Sequence, residues 1–249
     1  MKKNIFLCFM GLFILIALPA FAIPVLQVGV KTNSGYVPYT TQGSDMETAF
    51  TSANPFTLAI GGSFEPNVIH LGGTYNSYDW GNFGLAFLNG TLGAVLLVSV
   101  PEGQSGSITY SPNLSLITTR TGANDSGFPN NHFPVGQPNS FDFLYFNLGT
   151  PFVNNQNGVV NFANQLDIGN GEIRFYDTEI TGFTYAHFDL LAIQIKDFGP
   201  PSIPNLVYNI ESNPPSHDAS YVVPEPATML LLGSGLLGLA GFARRKFKK

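Results

Sequence analysis

FDFLYFNL (Phe141 to Leu148) is apolar along both of its alternations, interrupted only by Asp142 and Asn147. Successive strand side chains point to opposite faces, so this stretch suits a central strand of a sheet covered on both sides. LGAVLLVSV (Leu92 to Val100) has the same character. Two such runs set the expectation of a β-rich core.

Outward from them, alternation at period two recurs. Leu26, Val28 and Val30 alternate with Gln27, Gly29 and Lys31. Phe56, Leu58 and Ile60 repeat the pattern after Pro55, and Phe83, Leu85 and Phe87 do so after Gly81-Asn82. Ile173 and Phe175 flank Arg174, which places the arginine on the wetter face of a strand. Breakers punctuate the chain at Gly61-Gly62, Gly72-Gly73, Asn89-Gly90, Asn157-Gly158 and Asn170-Gly171. The last lies between Leu166-Asp167-Ile168 and Glu172 to Asp177 and predicts a hairpin. Helical signal is sparse: SDMETAFT (Ser44 to Thr51) fits one or two turns, with Ser44 as N-cap and Glu47 completing a capping box. Thr121 to Ser140 reads as a long loop. The expected fold is all-β, a single antiparallel β-sandwich or jelly-roll-like domain over residues 23–220.

Charge divides the chain. The whole-chain net of -5 conceals a body, residues 23–223, with only Lys31, Arg120, Arg174 and Lys196 as cations. Fifteen of the sixteen acidic residues oppose them, leaving the body near -11. A surface so poor in Lys and Arg lacks the electrostatic footprint for nucleic acid, which excludes that partner.

Both ends read as targeting segments. Lys2 and Lys3 precede an apolar stretch from Ile5 to Leu18, and Ala20-Phe21-Ala22 supplies small residues at Ala20 and Ala22 for cleavage. Residues 1–22 therefore read as a secretory signal peptide for the Sec machinery, with Ile23 as the first mature residue. Cys8, the single cysteine, falls inside it. Its removal excludes disulfides, thiolate metal sites and cysteine catalysis from the mature protein.

At the other end, Pro224-Glu225-Pro226 precedes an uncharged apolar run from Ala227 to Ala243, followed by Arg244, Arg245, Lys246, Lys248 and Lys249. The run is near the lower limit for a membrane-spanning helix, and its basic end acts as a stop-transfer signal that stays cytoplasmic. This segment, residues 221–249, resembles the PEP-CTERM sorting signal. The resemblance implies an exosortase as partner, cleavage at or near Pro224 to Pro226, and transient anchoring in the inner membrane. It also implies final delivery to the surface or exterior of a polysaccharide-producing Gram-negative cell.

The body carries a resemblance of its own. VLQVGV (Val25 to Val30), the loop before FDFLYFNL, HFDLL (His187 to Leu191) and SHDASY (Ser216 to Tyr221) together resemble exported bacterial choice-of-anchor proteins, of the N type. That resemblance implies one β-rich module joined to one of several surface anchors, and it supplies no catalytic residue.

Motifs that carry chemistry are few. Gly103-Gln104-Ser105-Gly106-Ser107 misses the last glycine of a nucleophile elbow. His70, His132, His187 and His217 are scattered without zinc-ligand spacing, so they read as independent residues with no metal or cofactor. Asp167 to Glu172 (DIGNGE) departs from a calcium loop at its third and fifth positions, both glycine, and a hairpin turn is the better reading. Glu172, Asp177, Glu179 and Asp189 are the candidate carboxylates for a matrix-glycan hydrolase, a reaction that needs two carboxyls facing each other across a cleft.

Tyr75, Tyr78 and Trp80 cluster in GGTYNSYDWGNFG beside Asn76, Asp79 and Asn82. Flat rings flanked by amides and a carboxylate suit a saccharide platform, and the alternative is that the rings pack in the core. Two functions follow: a non-enzymatic surface or matrix protein contacting exopolysaccharide, or the glycan hydrolase. On the platform reading, Trp80→Ala abolishes saccharide binding and leaves the melting temperature nearly unchanged. On the core reading the same change costs roughly 3–5 kcal/mol, and one thermal melt beside one binding assay distinguishes them.

Overall fold

The computed structural model describes residues 26–42, 45–63, 68–71, 94–121, 140–148, 152–153, 156–197, 206–214 and 217–223. The signal segment with Ala20 and Ala22, the rings Tyr75, Tyr78 and Trp80, nearly all of the long loop, the Pro224 to Pro226 motif, the apolar run and the basic tail lie outside them. Among the described residues there is no α-helix, and no helix long and apolar enough to cross a membrane.

Among the described residues sixteen strands form two sheets. The smaller contains β1 (Gln27–Thr32), β2 (Gly35–Tyr36), β5 (Phe56–Ser63), β8 (Ser107–Ser111), β12 (Gln156–Val160) and β13 (Asp167–Thr181). Its order is β12-β13-β5-β1-β2, with β8 also on β13. The larger contains β3 (Thr40–Gln42), β4 (Asp45–Thr51), β6 (Val68–Leu71), β7 (Ala94–Pro101), β9 (Ser115–Thr121), β10 (Phe141–Asn147), β11 (Phe152–Val153), β14 (Tyr185–Asp197), β15 (Leu206–Ser212) and β16 (Ala219–Val222). It runs β3-β4-β16-β14-β7-β10-β9, with β15 and β6 on the far half of β14 and β11 on β6. Pairing is antiparallel throughout except between β16 and β4.

One apolar core joins the inner faces of the two sheets, built from residues such as Val28, Leu58 and Tyr176 on one side and Leu96, Val98 and Phe188 on the other. Aromatic rings bridge the layers: Phe56 meets Phe188 edge-on at 5.9 Å, and Tyr110 meets Phe146 at 5.0 Å. Such edge-to-face pairs contribute beyond the area they bury. The two doubly apolar runs behave as expected. β7 is buried on both faces from Ala94 to Val100 and lies between β14 and β10. β10 sits one place further out, with Phe143 and Tyr145 buried on one face and Phe146 on the other.

Five local expectations need correction. SDMETAFT is not helical: Asp45 to Thr51 form β4, because pairing with β3 and β16 outweighs a capping signal worth about 1 kcal/mol. Neither Gly61-Gly62 nor Asn170-Gly171 is a break. β5 and β13 run straight through them, and the glycines permit a close approach of the two strands. A Cβ on Gly171 would stand 1.9 Å from the Gly62 carbonyl oxygen, and one on Gly61 would stand 2.0 Å from that of Glu172. The turn lies earlier, over residues 161–166 between β12 and β13. There Asn161 and Asn164 accept the amides of Ala163 and Leu166, as short polar side chains do in turns.

Arg174 is likewise not on the wetter face. It shares the inward face of β13 with Tyr176 and Ile180, while Phe175 is 43% exposed. Its guanidinium lies 4.0 Å over the Phe152 ring, and its Nε donates to Glu172 at 2.7 Å. A cation stacked on a ring and paired with a carboxylate tolerates the edge of a core.

β1 also lacks the polar face that alternation implies, since Gln27 and Gly29 are buried as fully as their apolar neighbours. A second small core of Tyr36, Ala59, Val159, Phe162 and Ile173 covers the outer side of the smaller sheet. Gln27 fixes it: its Nε2 donates to the Val160 carbonyl at 2.8 Å, and its Oε1 accepts the Phe162 amide at 2.9 Å. Gln27→Leu leaves both backbone groups buried without partners, at about 1–3 kcal/mol each. The urea midpoint of the variant is therefore expected to fall well below wild type. An equal midpoint would show that the 161–166 turn is held by other contacts.

Candidate functional site

β14 carries two partners on each edge, and the handover between them builds the site. One edge pairs first with β7 and then with β6. The other pairs with β16 over Tyr185 to Phe188 and with β15 from Leu191 onward. Asp189 and Leu190 fall between those two ladders. Asn213 fills the gap: its side-chain oxygen accepts the Leu190 amide at 2.6 Å, and its backbone N–H donates to the Leu190 carbonyl at 3.0 Å. Its Nδ2 contacts Asp189 Oδ1 at 3.3 Å and the His217 carbonyl at 3.2 Å.

Around this gap the outer face of the larger sheet is polar and fully buried. His187 and Asp189 sit on that face two residues apart, and Asp218 arrives from the segment leading into β16. His187 Nε2 is 3.3 Å from Asp189 Oδ2 and 3.7 Å from Asp218 Oδ2. One ligating atom from each residue lies within 4.8 Å of the others, so the three form a group with the donor types of a metal site. The other imidazole nitrogen, Nδ1, is 2.8 Å from Ser220 Oγ, which is 3.2 Å from the hydroxyl of half-buried Tyr185.

A second imidazole closes the rear. His217 contacts Asn161 Oδ1 at 3.2 Å, and the Tyr39 ring lies tilted against it at 5.4 Å. Burial lowers the His217 pKa to about 4, so it is neutral at neutral pH. Tyr39 donates to the Val28 carbonyl, and its phenol is pushed well above the usual range by burial and then by the charge of Asp218.

Ser220, His187 and Asp189 form a hydroxyl–imidazole–carboxylate row, the elements of a hydrolytic triad. All three are 0% exposed, so a substrate carbonyl has no approach to Ser220 Oγ. The carboxylates nominated for glycoside hydrolysis are not gathered. Glu172 is paired with Arg174, Asp177 and Glu179 lie on the solvent face of β13, and Asp189 belongs to the other sheet. β13 and β14 follow each other in sequence without being neighbours in a sheet. A cavity of about 310 Å³ opens between Asn113, Leu114, Asn147 and Tyr176. The cation on its wall, Arg174, is engaged by Glu172 and Phe152.

His187 is thus not an independent residue, contrary to the sequence reading of the four histidines. His132 and the His70 side chain lie outside the described residues. The spacing His187-x-Asp189 did signal one shared strand face, whereas the arrival of Asp218 depends on tertiary pairing. Asn213→Leu removes a side chain that satisfies three buried groups. It is expected to lower the thermal midpoint by roughly 6 °C or more, from a cost of about 2–5 kcal/mol. A shift under about 2 °C would show the gap to be tolerated.

Residues 222–246 match the PEP-CTERM protein-sorting motif. No curated protein and no solved structure matches the chain. The match begins on Val222, the last residue of β16, so folded body and sorting segment meet without a linker. The chain carries the sorting motif of exported proteins that an exosortase processes at the membrane.

Proposed function

We propose that this protein is an exported surface or extracellular-matrix component whose body is structural or carbohydrate-contacting and does no catalysis. The observation that carries the reading is the sorting motif at residues 222–246. The resemblance of the body to choice-of-anchor proteins supports it, since that architecture pairs a β-rich, jelly-roll-like module with an exchangeable anchor. Complete burial of the one triad-like row and the separation of the nominated carboxylates favour binding over hydrolysis.

On this reading residues 1–22 direct Sec export and are removed. Residues 227–243 then halt in the inner membrane with residues 244–249 in the cytoplasm, and exosortase acts at or near Pro224 to Pro226. The released or re-anchored body contacts exopolysaccharide, with Tyr75, Tyr78 and Trp80 as the candidate rings.

In a host without exosortase, the full-length protein is expected in the inner-membrane fraction, with its body accessible to protease from the periplasm. Replacing Arg244, Arg245 and Lys246 by neutral residues weakens retention, because the stop-transfer charge is lost. With exosortase present, the chain shortens by its tail and leaves that membrane. Full-length protein soluble in the cytoplasm of its native host would overturn the reading.

A further inference from the structure

We infer that His187, Asp189 and Asp218 form a structural binding site for one divalent transition-metal ion, of the Zn2+ or Mn2+ class. The distances carry the inference. A protonated imidazole hydrogen-bonded to a carboxylate stands at about 2.7–2.9 Å, whereas His187 Nε2 is 3.3 and 3.7 Å from its two carboxylate oxygens. Two donors, each about 2.1 Å from a shared tetrahedral ion, stand roughly 3.4 Å apart. Those two spacings are near the ligand value, and all three donor atoms lie within 4.8 Å of one another, so small side-chain rotations that draw the carboxylates together close the trio on an ion.

Charge points the same way. Two carboxylates and one imidazole, all 0% exposed, offer a divalent ion two oxygens and one nitrogen. An ion bound to both carboxylates would offset their charge in a site shielded from water. Ser220 Oγ, 2.8 Å from Nδ1, receives the N–H that leaves Nε2 as the ligating lone pair. Histidine ligands are commonly oriented by an outer partner of this kind.

A separate observation comes from two hydroxyls. Ser99 pairs with His187 across β7 and β14, and Thr48 stands on β4 next to Ala49, whose amide donates to the Asp218 carbonyl. Both side chains are 0% exposed, and neither hydroxyl has a hydrogen-bond partner among the described residues. They flank the trio on the same sheet face, where oxygen donors would complete a coordination sphere. Calcium is disfavoured, since it takes about 6–8 oxygen ligands and no imidazole.

The test uses the full-length protein, without a histidine tag, expressed in a host without exosortase and extracted in detergent and chelator-free buffer. Elemental analysis is expected to find about one zinc or manganese ion per chain. Chelator-stripped protein should take up Co2+ with the visible absorption of a nitrogen- and oxygen-ligated site, and Zn2+ should displace it. Zn2+ or Mn2+ at a thousandfold excess over Kd should raise the melting temperature by roughly 10 °C. Asp218→Asn should weaken binding by at least about tenfold, and Ser220→Ala by about 10–100-fold through loss of ligand orientation. If Asp218→Asn does not fold, the cobalt and melting measurements on the wild-type chain decide alone. Substoichiometric metal with neither cobalt absorption nor a melting shift overturns the site. So does undiminished affinity in folded Asp218→Asn.

Discussion

The larger sheet depends on a single strand being paired along both edges over most of its length. β14 binds β7 and β6 on one edge and β16 and β15 on the other. Backbone amides and carbonyls buried in a core must find partners, and an unmet pair costs several kcal/mol. On the edge shared by β16 and β15 neither ladder covers Leu190, so Asn213 supplies both partners: its side-chain oxygen accepts the Leu190 amide and its backbone N–H donates to the Leu190 carbonyl. A side-chain amide suits the place, since its oxygen stands in for the missing backbone acceptor while its NH2 reaches Asp189 and the His217 carbonyl. The interruption also explains why polar groups collect there. Where two ladders fail to meet, the sheet opens enough for Asp218 to approach His187 and Asp189.

The fold was legible from the sequence wherever side-chain alternation decided it. LGAVLLVSV and FDFLYFNL announced strands covered on both sides, and β7 and β10 are such strands. Failures arose where a local signal met a tertiary demand. Ser44 and Glu47 suggested a helix start, but a capping box contributes less than two flanking ladders. Glycines at 61, 62 and 171 were read as turn formers, yet they serve close packing of β5 against β13, a role that depends on the partner strand. The polar alternates of β1 looked solvent-facing because the sequence does not reveal Phe162 folding back over them.

The polar cluster was half legible for the same reason. Period two places His187 and Asp189 on one face of one strand, a statement about neighbours in sequence. Asp218 and Ser220 come from about thirty residues later and reach the cluster only because β16 lies between β14 and β4. Of the nominated carboxylates, proximity in sequence misled. Glu179 and Asp189 stand on consecutive strands that belong to different sheets, and a sandwich separates such neighbours by the thickness of its core.

The junction with the sorting segment ties these features together. β16 is four residues long, yet both its edges are paired: antiparallel with β14 from Ala219 to Val222, and parallel with β4 from Ala219 to Tyr221. Val223 adds a bond to the Thr184 carbonyl, and the next residue is Pro224. Proline has no N–H, so Pro224 cannot donate a further ladder bond. Tension applied at Pro224 along the strand is shared by two ladders and by the residues around Asp218, immediately upstream. A short strand held on both edges and packed beside a buried polar cluster is thus the last described element before the sorting motif.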